Sequence, residues 1–151
     1  MPKLLITLMI CTLAAMPAGA AEFKWLDSHG QTHSLSEYHG RPVALHLWAS
    51  WCVPCRNELP ELTTWLKQHP HTPMVLVSLD NHQQDAATFL KQHHIRIPLL
   101  LSDEAQAFNL GARGLPTTAV IGADGDIRRI WVGAQSWEHG FGDKLLAELS
   151  H

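Results

Sequence analysis

Apolar residues fall along this chain in blocks of two periods. Val43 to Trp48 is an apolar run broken only by His46 and preceded by Gly40-Arg41-Pro42, the signature of a buried strand. Beyond Pro54 the spacing lengthens: Leu59, Leu62, Trp65 and Leu66 recur at helical intervals. Pro54 suits the start of that helix, where its missing N–H would have had no partner anyway. Pro60 lies inside, so the pattern predicts one kinked helix or two short ones. Met74 to Leu79 is a second buried strand, ended by Asp80-Asn81. Asp85 to His93 predicts a helix with Ala86, Phe89 and Leu90 on one face, and Leu99 to Leu101 is short and apolar. Asp103 to Leu110 reads as a turn or two of helix stopped by Gly111. Thr117 to Ile121 and Ile127 to Val132 flank Ala123-Asp124-Gly125-Asp126 and form a hairpin. Ser136 to Leu149 predicts a terminal helix with Phe141, Leu145, Leu146 and Leu149 inward. Upstream, Phe23 to Trp25 and Thr32 to Leu35 bracket Ser28-His29-Gly30, another hairpin.

Strands separated by helical crossovers pair in parallel and form a layered α/β fold. A closing hairpin adds antiparallel strands, so the expected sheet is mixed. No linker divides it. Trp48, Trp65 and Trp131 are expected in the core.

Composition narrows the classes. The chain has 151 residues, 46% hydrophobic and 17% charged, which excludes a disordered tail. Its net charge is -3 and no basic run occurs, so no nucleic-acid partner is expected. Met1 to Ala20 reads as a secretory signal: Lys3, an apolar run from Leu4 to Ala15, Pro17, then Ala18-Gly19-Ala20. That apolar run reaches only about 18 Å as a helix, short of the roughly 30 Å hydrocarbon core, which disfavours the alternative of a retained membrane anchor. The expected domain is then 21–151, exported to the periplasm or its equivalent. Cys11 is an apolar filler of the signal, which leaves Cys52 and Cys55 as the only cysteines of the domain.

A disulfide closing so short a loop adds little stability, because the gain grows with loop length. Chemistry explains the pair better. Trp51-Cys52-Val53-Pro54-Cys55 lies where a strand gives way to a helix. A sulfur at a helix N-terminus meets unpaired N–H groups and the positive end of the dipole. That environment is worth up to about 2 kcal/mol, enough to lower a thiol pKa from about 8.5 to about 7. Cys55, one turn on, is placed to attack a mixed disulfide formed at Cys52. Structural zinc would need a second ligand pair, and haem attachment a His where Arg56 stands.

Leu47-Trp48-Ala49-Ser50-Trp51-Cys52-Val53-Pro54-Cys55-Arg56-Asn57-Glu58-Leu59-Pro60 strongly resembles the thioredoxin-like proteins of the TlpA type. Gly114-Leu115-Pro116-Thr117-Thr118 resembles their G-x-P-T-T loop, and Ile121 to Ile127 their D-x-x-G hairpin. The resemblance implies a thioredoxin-like α/β fold, a central mixed sheet flanked by helices with an N-terminal β-hairpin extension. It also implies a cis peptide bond before Pro116, facing the disulfide. Glu58 matches the family's acidic position, as a group acting on the thiols or as a solvated carboxylate at the first turn. His46 departs from the pattern, which has Asp in thioredoxin and often Asn in this type. A neutral imidazole there would accept the proton of Cys55 or be satisfied by backbone. Trp51, Val53 and Pro54 beside the dithiol, with Leu115 beside Pro116, are expected to contact substrate.

The expected activity is thiol:disulfide exchange on exported proteins, by a protein-disulfide reductase that needs no cofactor and acts as a monomer. The resemblance implies recharging by a membrane thiol-transfer protein and clients such as apocytochrome c or a copper-centre assembly protein. A disulfide donor would use the same residues. A copper carrier using the dithiol with His139 is the non-enzymatic alternative, and His69, His71, His93 and His94 raise metal capture more generally, though histidines on helix ends are usually solvated. Peroxide reduction would want Thr or Ser three residues before the first Cys, where Ala49 stands.

Overall fold

The computed structural model describes residues 22–150; the expected signal segment lies outside them. Strand β1 (Lys24–Leu26) pairs antiparallel with β2 (Thr32–Ser34). A 3-10 turn over Leu35–Tyr38 leads to β3 (Val43–Trp48), helix α1 (Val53–Gln68) and β4 (Met74–Ser78). Helices α2 (Gln83–Gln92) and α3 (Glu104–Leu110) precede the hairpin of β5 (Thr117–Ile121) and β6 (Ile127–Val132), and α4 (Phe141–Leu149) closes the domain. The main sheet has the order β4-β3-β5-β6, with β3 and β4 parallel and the other pairs antiparallel. This is the expected mixed sheet. Leu101 bridges to Leu26 and to Ser78, so the short apolar run ties the N-terminal hairpin to the end of β4.

Every residue of β3 is buried, because helices cover one face of the sheet and the hairpin with α3 covers the other. Successive side chains alternate between the two cores. Val43, Leu45 and Leu47 join Phe23, Trp25, Val77 and Leu110 on the hairpin side. Ala44 and Trp48 join Leu59, Trp65, Phe89 and Leu145 on the helix side. By the same alternation His46, fully buried, faces the helices. Trp131 is only half-buried and meets Phe141 edge-on at 5.0 Å.

Of two expectations about helices, one alternative is settled and one reading needs correcting. The run through Pro60 is one continuous helix, not two; the Thr63 and Thr64 hydroxyls both donate to the Pro60 carbonyl. The terminal segment is not one helix from Ser136. A 3-10 turn over Trp137–His139 ends at Gly140, whose φ of 95° lies in the left-handed region that only glycine enters freely, and α4 starts after it. That break turns Trp137 into the core, where it is 1% exposed.

Gly142 sits against the Trp65 indole, and a Cβ there would overlap the ring. Overpacking of this kind costs about 1–3 kcal/mol. Gly142→Ala is therefore expected to lower the unfolding free energy by that amount, read as a fall in the urea midpoint; an unchanged midpoint would show that α4 shifts freely on α1.

Candidate functional site

The site is built where β3 ends and α1 begins. Cys52 is the N-cap of α1, with Val53 and Pro54 forming its first turn. Its Sγ accepts the Cys55 backbone N–H at 3.2 Å, so the sulfur occupies the position a capping oxygen usually takes. Cys52 and Cys55 form a disulfide, with Cα atoms 5.2 Å apart. Cys52 is 6% exposed and Cys55 fully buried, so the first sulfur is the one a partner reaches. Trp51 and Val53 flank it as exposed apolar side chains.

The loop carrying this pair is pinned from the neighbouring strand. Asp80, just beyond β4, accepts from the Ser50 backbone N–H at 2.9 Å, the Ser50 hydroxyl at 2.6 Å and the Ser78 hydroxyl at 2.6 Å. Charge-assisted bonds are about twice as strong as neutral ones, and Asp80 is itself buried. In the sequence Asp80 marks only the end of a strand.

The Leu115-Pro116 peptide bond is cis, as the resemblance implied. A groove of about 780 Å³ runs beside the dithiol, bounded by Trp51, Cys52, Leu115, Phe108 and Arg113. Val53 is not among its lining residues; Pro54 is. The far wall was missed in the sequence: Phe108 is 61% exposed on α3, and the Arg113 guanidinium lies 4.0 Å over its ring while donating to the Phe108 carbonyl at 2.7 Å.

Beneath the dithiol lie the two titratable candidates. Glu58 is one turn after Cys55 on the same buried face of α1. It is 3% exposed, which removes the solvated-carboxylate reading. Its Oε1 accepts from the Gln135 backbone N–H at 2.9 Å and from Trp137 Nε1 at 2.8 Å. Neither partner was legible in the sequence. Its Oε2 has no hydrogen-bond partner and faces His46 Nε2, also unpartnered, at 3.7 Å. His46 Nδ1 lies 2.9 Å from Thr118 Oγ1, its cross-strand neighbour, so a side-chain hydroxyl and not backbone satisfies that nitrogen. Burial pushes the imidazole pKa down to about 3, so His46 is neutral across the ordinary pH range. Burial also raises the Glu58 carboxyl, with the two hydrogen bonds to Oε1 opposing and Glu61 reinforcing the rise. Burial wins because one oxygen stays bare.

Among the described residues, no three His, Cys, Asp or Glu side chains come together to hold a metal ion. His69 stacks on Trp65 at 4.3 Å and His93 packs on Phe89 at 4.4 Å.

A disulfide poised at a helix N-terminus, beside a cis-proline loop in a mixed α/β sheet, defines a thiol:disulfide oxidoreductase of the thioredoxin fold. The chain belongs to the AhpC/TSA family, whose profile matches residues 17–130. It is 27% identical over 130 residues to the thiol-disulfide oxidoreductase ResA of Geobacillus thermodenitrificans, covering 84% of this chain and 75% of that one. It also resembles the crystal structure of StoA from Bacillus subtilis, at 26% identity and a TM-score of 0.65, covering 89% of this chain and 100% of the other. The structure of MTB dsbF shares the fold with a TM-score of 0.73 at 20% identity, over 85% of this chain and 96% of that one.

The folded protein holds the Glu58 proton more tightly than the unfolded chain does. The resulting stabilisation is complete below the unfolded carboxyl pKa, about 4.3, and is lost as pH rises through the higher folded value. Glu58→Gln keeps an oxygen for Gln135 and Trp137 but cannot titrate. Its denaturant midpoint should fall less with rising pH than that of the native protein; parallel curves would mean that Glu58 titrates alike in the folded and unfolded chains.

Proposed function

We propose that residues 21–151 act as a reductase of disulfides in exported proteins, following removal of the segment 1–20. The Cys52 thiolate attacks a client disulfide, joining client sulfur to Cys52 and releasing the other client sulfur as a thiolate. Cys55 then attacks Cys52 Sγ, closing the disulfide seen here and freeing the second client sulfur. Two electrons leave the dithiol and two enter the client. The observation carrying the exchange chemistry is the Cys55 N–H pointed at Cys52 Sγ, which stabilises negative charge on the more accessible sulfur.

Trp51, Val53, Pro54 and Leu115 supply apolar contact to the client. Pro116 has no N–H, and Leu115 makes no hydrogen bond among the described residues, which leaves backbone free to pair with an extended client segment. Direction follows from burial. Cys55 is fully buried, which disfavours a thiolate there and so favours the disulfide form of this protein. A dithiol that gains by becoming a disulfide is a reductant. Reduced protein must be regenerated by a thiol donor, which for an exported domain is a membrane thiol-transfer protein. The unit acts as a monomer. No helix among the described residues is long and apolar enough to cross a membrane.

Cys52→Ala is expected to abolish insulin reduction by dithiothreitol, and Cys55→Ala to accumulate client mixed disulfides at Cys52. Retained turnover in Cys52→Ala would overturn the mechanism. Equilibration with glutathione should give a potential near the about -270 mV of thioredoxin; a value near about -120 mV would make the protein a disulfide donor. A thiolate–copper absorption band on titration would favour the carrier instead.

A further inference from the structure

The groove beside Cys52 is apolar along its walls except at Glu104 and Arg113. Glu104 opens α3, Arg113 lies just beyond its end, and exposed Phe108 stands on the helix between them. Phe108 follows Glu104 by one turn, so the two share a face. The groove therefore has an aromatic middle and opposite charges at its two ends.

Arg113 is fixed before any partner arrives. Its guanidinium lies 4.0 Å over the Phe108 ring, and Nη1 donates to the Phe108 carbonyl at 2.7 Å and to the Ala112 carbonyl at 3.2 Å. Those two bonds close the end of α3 and use both Nη1 protons. Nε–H and the Nη2 protons have no acceptor among the described residues. Together they make the edge of the fork that presents two parallel N–H groups, which a carboxylate accepts bidentately. Lys24, Arg128 and Arg129 each pair with a carboxylate; Arg113 pairs with none among the described residues. Capping explains Nη1 and leaves this edge without a use. A side chain already held in one geometry loses little freedom on binding, so its bonds to a ligand are not offset by ordering.

Extending the reductase reading, we propose that Arg113 selects clients with an acidic residue near the reacting cysteine. The client segment lies extended in the groove with its cysteine at Cys52. An apolar side chain packs between Trp51 and Phe108, and an Asp or Glu carboxylate accepts from the Nε–Nη2 edge of Arg113. Glu104 repels an acid at the opposite end, so the two charges also set which way the segment runs. Side chains of an extended segment alternate in direction and rise about 3.3 Å per residue, so the acid is read at one spacing from the cysteine and not at its neighbours. Arg113 chooses the client; the two cysteines alone break and form the S–S bonds.

The test uses short peptides with one central cysteine held as its disulfide with thionitrobenzoate, and with Glu, Gln or Lys at each position on either side. Cys52 of the reduced protein attacks the peptide sulfur and joins it, and thionitrobenzoate leaves with the electron pair and is read by absorbance. At one position the Glu peptide should react on the order of 10-fold faster than the Lys peptide, with Gln between them. The chain's net charge of -3 opposes acidic peptides, so a Glu preference cannot come from the overall field. Arg113→Glu should reverse the order, and added salt should shrink it. Arg113→Gln, which keeps an N–H for the end of α3, should level the Glu and Gln peptides. Arg113→Lys, which keeps the charge without the parallel N–H pair, should retain only part of the preference. Equal rates for Glu, Gln and Lys at every position, or a Glu preference that survives Arg113→Glu and Arg113→Gln, would overturn the proposal. Failure of the dithiol reading would show separately, as thionitrobenzoate release from no peptide or undiminished release in Cys52→Ala.

Discussion

The bond on which this site depends is the one between the Cys55 N–H and Cys52 Sγ. A helix leaves its first N–H groups unpaired, and a capping oxygen normally takes one. Here a sulfur does, which ties helix formation to sulfur chemistry: the same dipole that needs a cap stabilises the thiolate. The arrangement holds only if the loop before α1 cannot drift. Asp80 fixes it through Ser50, and the Leu79 N–H donates to the Trp48 carbonyl at 2.8 Å, so the end of β4 holds the end of β3. The reactive end of the sheet is therefore anchored by a carboxylate that never approaches the sulfurs in sequence.

Alternation along β3 divides the labour of the two cores. The hairpin side is largely apolar, with Val43, Leu45 and Leu47 packed on Phe23, Trp25 and Leu110. The helix side accepts a polar line, from Thr118 through His46 to Glu58, among Trp48, Leu59 and Trp137. A buried polar group tolerates such surroundings only when it is partnered. This line ends in two bare atoms that face each other, an arrangement that costs stability unless a proton lies between them.

Much of the architecture was legible because periodicity reports burial, and burial is what the sheet imposes. The strand pattern from Val43 to Trp48, the helix beyond Pro54 and the closing hairpin were all readable, and the dithiol announced itself by residue type. What escaped shares one cause: long-range contact. Asp80 meets Ser50 across 30 positions, and Trp137 meets Glu58 across 79. No local pattern marks either. The apolar spacing from Ser136 to Leu149 runs straight through Gly140, and only its left-handed φ in the fold breaks the helix and swings Trp137 inward. Phe108 was read as part of a short helix, and only the folded arrangement reveals that it borders the groove beside Cys52.

Family membership and site chemistry carry different information here. The AhpC/TSA profile spans the fold from the N-terminal hairpin to β6, so it reports a shared scaffold. Activity resides in what is mounted on it. A peroxide-reducing site would place a hydroxyl three residues before the first cysteine, but Ala49 is fully buried and offers only its carbonyl, which accepts the Cys52 N–H at 3.2 Å. No side chain there can polarise an O–O bond. Cys52 instead has a second sulfur one turn away and an apolar groove large enough for a chain segment beside it. A nucleophile with a resolving partner and an extended groove suits a substrate that is itself a polypeptide carrying sulfur. The scaffold is common to the family, and two sulfurs and a missing hydroxyl decide which chemistry it serves.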